Sequence, residues 1–289
     1  MNRLALGTAQ FGQDYGIANS TGQTSRSEVK KVLELARLKG INTLDTAIAY
    51  GESESVLGQI GVQDFNIISK LPELPIVCRD VENWMESQLN ESLKRLRLNS
   101  IDSFLLHRPL QLLVPGNENL WATLLQFKTQ GLVKKIGYSI YGPHELEQLW
   151  PHCKPDMIQV PYNIFDWRME TSGWFKRLKD EDIEIHARSV FLQGLLLLNK
   201  YNRPKVFDQW SDHWHLWDSW LKQNQLTPLQ ATLAFALAED KVNKVTVGVD
   251  NCVQLKEILE AVDTSIEYFP EELSITDEQL INPSNWEHL

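Results

Sequence analysis

Cysteine is scarce in this chain. Cys78, Cys153 and Cys252 are odd in number and far apart, which argues against a disulfide framework and a zinc site. A reducing, cytoplasmic compartment is the expectation. Long apolar runs are also missing. None approaches the roughly 20 residues that cross a bilayer, and the opening MNRLALGTAQFG has no apolar segment of the signal-peptide kind. Positive charge is in deficit. Lys and Arg number 28 against 38 Asp and Glu, a formal net charge of −10. That balance argues against non-specific binding to nucleic acid or anionic membrane, so neither is expected as a partner. Local arginines can still hold a small anion. No repeat of fixed period and no linker divides the chain. Gly7-Thr8-Ala9-Gln10-Phe11-Gly12 lacks the spacing of a dinucleotide fingerprint. It reads as a loop over the first strand and makes Phe11 a candidate substrate contact.

What is present is alternation. Short apolar runs at 4–7, 41–45, 65–70, 101–107, 133–139, 156–160, 183–188 and 244–247 are separated by segments of helical periodicity. The helical segments include 25–39, one beginning near Glu52, 81–96, 117–130, 143–150, 168–179, 210–223, 228–238 and 252–261. Strict β-then-α order implies a parallel sheet with right-handed crossovers. Eight units favour closure into a barrel over an open sheet. The expected fold is α/β, a single (β/α)8 TIM barrel spanning 1–289. Residues 192–208 read as a long irregular segment. Residues 263–289 form a C-terminal tail that wraps the top or side, with the acidic stretch 267–278 read as a solvated surface.

Chemistry in such barrels lies at the carboxyl ends of the strands. The residues there are Asp45, Lys70, His107, Ser139, Gln159 and Arg188, all polar after mainly apolar runs. Tyr50 follows Asp45 by five residues. A phenol is a weak acid near neutrality, with a pKa of about 10. A nearby ammonium stabilises its anion, a role open to Lys70, with Asp45 holding the lysine. His107 can donate a hydrogen bond to a substrate oxygen or share in a proton relay. Together the four could protonate an oxygen on which negative charge develops, as carbonyl reduction by hydride requires. Taken singly, Tyr50 reads as a packing tyrosine and His107 as a hydrogen-bonded core histidine. Their order along the strands changes both readings. Trp210, Trp214 and Trp217 share a helix face and read as packing rather than sugar stacking. His213 and His215 stand two apart, which does not place them together on a helix.

These motifs resemble the aldo-keto reductase superfamily. Asp45-Thr-Ala-x-x-Tyr50-Gly51-x-Ser53-Glu54-x-x-Leu57-Gly58 is similar to that family's signature around its acid and tyrosine. Ile68-Ser69-Lys70 resembles its lysine strand, and Leu105-Leu106-His107-Arg108-Pro109 its histidine strand. Lys135-Ile136-Gly137-Tyr138-Ser139 and Gln159-Val160-Pro161-Tyr162-Asn163 resemble its nicotinamide-contacting strands, and Leu192-Gln193-Gly194-Leu195-Leu196 its pyrophosphate loop. The resemblance runs from Leu4 to about Leu259. It implies a (β/α)8 barrel, a reduced nicotinamide cofactor (NADPH or NADH) and no metal. By position it makes Tyr50 the general acid, with Lys70 and Asp45 tuning it and His107 orienting the carbonyl. Ser139 and Gln159 would hold the carboxamide. Arg188, Gly194, Leu195, Gly248, Asp250 and Gln254 complete the candidate cofactor contacts.

The chain departs from the pattern in three places. Ile140 stands where the family has Asn, so one carboxamide contact is in question. Arg188 stands where an aromatic often stacks on the nicotinamide; a guanidinium either stacks or meets an anionic substrate. Asp250 follows strand eight where relatives favouring NADPH carry a basic residue. A carboxylate there repels a 2′-phosphate and accepts from a 2′-hydroxyl, so NADH use is expected. Arg108, Arg168 and Arg188 are candidate contacts for an anionic or nucleotide-linked substrate. The chain is also similar to a bacterial branch associated with surface-polysaccharide and sugar biosynthesis, which implies a carbohydrate-derived carbonyl. An alternative is a cofactor-binding regulatory or accessory protein with little turnover. A monomer or small homo-oligomer is expected.

Overall fold

The structure is a computed structural model that describes residues 3–288. Eight parallel strands close into a barrel in sequence order, with β1 paired to both β2 and β8. The strands are β1 (Leu4–Gly7), β2 (Thr43–Asp45), β3 (Asn66–Leu71), β4 (Ile101–Leu106), β5 (Val133–Ser139), β6 (Met157–Pro161), β7 (Glu184–Arg188) and β8 (Lys244–Gly248). The helices are α1 (Ala9–Gly12), α2 (Arg26–Leu38), α3 (Ser53–Ile60), α4 (Val81–Leu96), α5 (Asn119–Thr129), α6 (Pro143–Leu149), α7 (Arg168–Thr171), α8 (Trp174–Asp180), α9 (Ser211–Asn224), α10 (Pro228–Ala238), α11 (Cys252–Ala261) and α12 (Glu278–Ile281).

Local chemistry sets the helix starts. The Ser25 and Asp80 side chains accept from the backbone N–H three residues on. Thr227 and Gln230 form a reciprocal capping box before α10. Asn251 accepts from the N–H groups of Val253 and Gln254 at the start of α11. The helical pattern over 168–179 is not one helix. Gly173 takes a left-handed φ of 78° and separates α7 from α8, as glycine does at helix ends. The irregular segment after β7 contains two 3₁₀ stretches, Leu192–Leu197 and Lys205–Trp210.

Alternation within each strand sorts residues between two layers. Ile67, Phe104, Ile136, Ile158, Ile185 and Val245 belong to the main core between strands and helices. Ile68, Leu105 and Met157 form a separate small cluster, the plug inside the barrel. Two residues on from Ile68 and Met157 come Lys70 and Gln159, on the same inward face and nearer the carboxyl end. Toward the amino end, Lys135 and His186 both bond Glu184, at 2.6 and 2.7 Å. The tryptophans of α9 pack as expected: Trp214, Trp217 and Trp220 are buried, and Phe165 meets the first two rings. The stretch 267–278 is only partly the solvated surface expected. Its acids are exposed, but Leu273 within it is fully buried, as are Leu280 and Ile281 just beyond. Among the described residues no helix is long and apolar enough to cross a membrane.

Candidate active site

A cleft of about 900 Å³ opens at the carboxyl ends of the strands. At its floor lie Asp45 and Tyr50, with His107 beside them. Tyr50 is placed by a close crossing of two backbones. A Cβ on Gly12 would fall 1.8 Å from the Tyr50 carbonyl, and one on Gly51 (φ 53°) would fall 2.3 Å from the Gly12 carbonyl. Only glycine at both positions allows Glu52 N–H to donate to the Gly12 carbonyl at 3.1 Å. The loop carrying Tyr50 is thereby tied to α1.

Lys70 is fully buried. Its ammonium donates to both oxygens of Asp45, at 2.8 and 2.9 Å, and to the Thr46 carbonyl at 2.8 Å. Gln159 donates its amide to Asp45 Oδ1. Lys70 Nζ lies 5.0 Å from the Tyr50 ring centroid. The His107 ring meets the Tyr50 ring edge-on at 5.8 Å. No described residue hydrogen-bonds the Tyr50 hydroxyl.

Charge states follow from burial. The Tyr50 phenol is pushed well above its ordinary value by burial first and by the Asp45 carboxylate second, with Arg188 pulling the other way. In the resting site the Lys70 ammonium is matched by Asp45, and burial sets the direction. Burial likewise lowers Lys70, while Asp45 holds it up. His107 falls to about 3, through burial and then the Lys70, Arg188 and Arg108 cations. Near neutral pH it is an uncharged imidazole.

Several candidates are brought together at the cleft: Asp45, Tyr50, His107, Arg108, Ser139, Arg188, Gly194, Gly248, Asp250 and Gln254 all line it. Three are not. Phe11 is fully buried in the core, where α1 turns its ring away from the cleft. Leu195 is fully buried beside Leu196, so the loop presents Gln193 and Gly194 instead. Arg168 is paired with Asp166 and Glu278 and donates to the Tyr141 carbonyl at 2.9 Å. It braces the wall and does not line the cleft.

Two buried oxygens lining the cleft, a third behind it and a strained loop mark where a ligand would sit. Thr246 Oγ1 and Asp250 Oδ1 at the cleft, and Gln159 Oε1 buried beneath it, have no hydrogen-bond partner among the described residues, an expensive condition for buried polar atoms. Gln159 Oε1 suits a carboxamide N–H donor. The Asp250 oxygen suits a hydroxyl donor, and Gln254 fixes the carboxylate by bonding its other oxygen at 3.2 Å. After β7, Ser189, Leu192 and Gln193 all take left-handed φ values of 49 to 58°; such strain gathers at ligand-binding loops. The residues present therefore fit a nicotinamide dinucleotide. Arg188 does not lie free for stacking. It donates to Ser139 Oγ (3.1 Å), Ser189 Oγ (3.0 Å) and the Ile140 carbonyl (2.7 Å). Its Cζ lies 4.8 Å from the Tyr141 ring centroid, and that of Arg108 lies 5.0 Å from the same centroid. Tyr141 is the main residue missing from the sequence-based candidates. Its one signal is position, two residues past the end of β5.

The family model described as aldo/keto reductase family matches residues 3–280. Aldo-keto reductase YhdN of Bacillus subtilis is 26% identical over 68% of this chain and 60% of its own. Aflatoxin B1 aldehyde reductase member 2 of Rattus norvegicus is 31% identical over 68% of this chain and 53% of its own. The chain thus matches little more than half the length of these two relatives. Methylglyoxal reductase DkgA of Escherichia coli O157:H7 is 30% identical over 78% of this chain and 84% of its own. Among solved structures, the holo form of aldo-keto reductase AKR11C1 from Bacillus halodurans superposes with a TM-score of 0.72 at 21% identity, covering 94% of this chain and 89% of that one. At that identity the likeness speaks for the barrel alone. The match over nearly the whole length carries the assignment: this chain belongs to the aldo/keto reductase family.

Proposed function

We propose that this chain is an oxidoreductase that reduces an aldehyde or ketone to an alcohol with NADH, and that 1–289 acts as one barrel domain with 263–289 as its tail. The observation that carries the reading is Tyr50 at the cleft, its hydroxyl free of any hydrogen bond from the described residues, with neutral His107 at its edge and the Asp45-clasped Lys70 beside its ring. The bound reduced nicotinamide would supply the hydride to the carbonyl carbon. Tyr50 gives its hydroxyl proton to the carbonyl oxygen. Lys70 stabilises the phenolate left behind until solvent reprotonates it. His107 donates an N–H to the same oxygen and holds it toward Tyr50. Gln159 Oε1 and Asp250 Oδ1 would accept from the cofactor's carboxamide and ribose. A carboxylate at the ribose favours NADH over NADPH. A sugar-derived carbonyl, a cytoplasmic setting and a monomeric or small homo-oligomeric state complete the proposal.

A second reading is a cofactor-binding accessory protein with little turnover. It is favoured by Arg188, which occupies the Ser139 hydroxyl. One experiment separates the two. Purified protein is titrated with NADH and NADPH by tryptophan fluorescence and assayed with a panel of reactive aldehydes. The enzyme reading requires turnover that drops about 10² to 10⁴-fold in Tyr50→Phe, with NADH binding retained. NADH should bind at least as tightly as NADPH. Binding without turnover, indifferent to Tyr50→Phe, supports the accessory reading. A strong preference for NADPH overturns the role given to Asp250.

A further inference from the structure

Tyr141 is fixed at both backbone groups and has two cations at its ring. Its N–H donates to the Glu145 carboxylate at 2.8 Å, and its carbonyl accepts from Arg168. The guanidinium carbons of Arg108 and Arg188 lie 5.0 and 4.8 Å from its ring centroid. Both arginines line the cleft. Among the described residues neither is within ion-pair distance of a carboxylate, in contrast to Arg37, Arg95, Arg168 and Arg203, each of which has an acid partner. Arg188 spends three N–H groups on neutral oxygens, and a guanidinium has five. Arg108 has the ring contact and is otherwise open to solvent.

Two cations with no ion-pair partner among the described residues stand on one aromatic wall, in a protein of net charge −10, and would attract and hold an anion. The acids nearby do not fill that place. Glu145 is spent on the Tyr141 N–H; burial raises its pKa while Arg188 and Arg108 pull it down, so it offsets part of their charge from behind the wall without pairing with either. Glu73 lines the cleft, but among the described residues it forms no ion pair with either arginine. The site lies at the reacting end of the cleft, because Arg108 directly follows His107, whose ring touches that of Tyr50. Asp250 and Gln254, the ribose candidates, belong to β8 and α11.

We infer that the Tyr141 wall, with Arg108 and Arg188, is a subsite for an anionic group, a carboxylate or a phosphate, carried by the carbonyl substrate itself. This rests on the proposed carbonyl reduction and adds a substrate class to it. The preference arises because each arginine can form charge-assisted hydrogen bonds to the anion, and Arg188 meets it with little reorganisation, since its three bonds already hold it in place.

The test compares matched pairs as substrates: 4-carboxybenzaldehyde against benzaldehyde, and glyceraldehyde 3-phosphate against glyceraldehyde. The charged member of at least one pair should show a kcat/KM about tenfold higher, and the pair that responds tells carboxylate from phosphate. The ratio should collapse toward one in Arg108→Gln, an exposed position that tolerates the change, and in Arg188→Gln. A ratio at or below one in both pairs overturns the subsite, as does a ratio unchanged by Arg108→Gln. If no aldehyde is turned over, the reductase reading fails, and equilibrium binding then decides the subsite separately. Tighter binding of 4-carboxybenzyl alcohol than of benzyl alcohol, lost in Arg108→Gln, upholds it. Equal binding, or displacement of the carboxylate by NADH alone, overturns it.

Discussion

His107 shows how far a cleft can move one side chain from its solution behaviour. Burial and three neighbouring cations take its pKa to about 3, against about 6.5 in an unfolded chain. The unfolded state therefore takes up the proton first. The stability tied to the neutral ring is fully present above pH 6.5 and is lost as pH falls from there toward 3. Replacing His107 by Gln removes that liability. Thermal melts at steps between pH 7.5 and 4.5 should show the wild-type Tm falling more steeply than that of His107→Gln, and two parallel curves would sink the idea. Asp45, Tyr50, Lys70 and His107 were legible in the sequence because each stands at or just past the end of an apolar run. Their charge states were not, since these depend on distances set by different strands: the Asp45 clasp on Lys70 leaves burial to dominate Tyr50. Arg108 and Arg188 were legible as candidate anion contacts, but the shared ring of Tyr141 that brings them together was not. The two arginines and the ring come from separate stretches of the chain.

Between the residue and the barrel, α3 and α4 hold the Tyr50 loop from behind. Glu54 on α3 is buried and accepts from Ser69 of β3 and Ser92 of α4, each at 2.6 Å, and from Arg95 of α4 at 2.9 Å. One carboxylate thus joins three elements. The helices come close enough because Gly58 has no side chain: a Cβ there would lie 2.0 Å from the Arg95 carbonyl, and backbone cannot yield as a flexible side-chain tip does. Gly58→Ala should cost about 3 kcal/mol by overpacking, despite alanine's better helix propensity. A urea melt reads this as a lower midpoint. An unchanged or raised midpoint would mean that α3 can shift freely, and the account of how Tyr50 is held would fall. All eight strands were visible as apolar runs; β1 and β5 match at both ends, and the other six have at least one end displaced by one or two residues. The run at 41–45 shrinks to Thr43–Asp45 because Ile41 and Asn42 precede the paired stretch. Apolar content shows what is buried, but not where a ladder begins. The break at Gly173 was missed because helical periodicity continues on both sides of it.

At the scale of the whole molecule, the tail closes the barrel's upper side and adds to the cleft. Ile275 N–H donates to the Phe165 carbonyl at 2.9 Å, Asp277 accepts from Trp210 at 2.9 Å, and Glu278 pairs with Arg168. Leu280 and Ile281 are fully buried, and Pro283 and Ser284 just beyond them line the cleft. The sequence shows the acids and the prolines of this segment but not its docking, because isolated apolar residues among acids carry no helical or strand period. The arrangement links tail packing to ligand binding. Leu280→Ala should cost about 2 to 5 kcal/mol, as expected for a buried leucine. Leu89→Ala, at an equally buried position on α4, should cost a similar amount. Their effects on the cleft should differ. Loosening Leu280 frees Pro283 and Ser284 and also weakens the Glu278 hold on Arg168, which braces Tyr141. NADH titrations below both melting temperatures should show weaker binding in Leu280→Ala by several-fold, with Leu89→Ala close to wild type. Equal affinities in the two variants would mean that the tail stabilises the barrel without shaping the cleft, and that the Tyr141 wall stands without its brace.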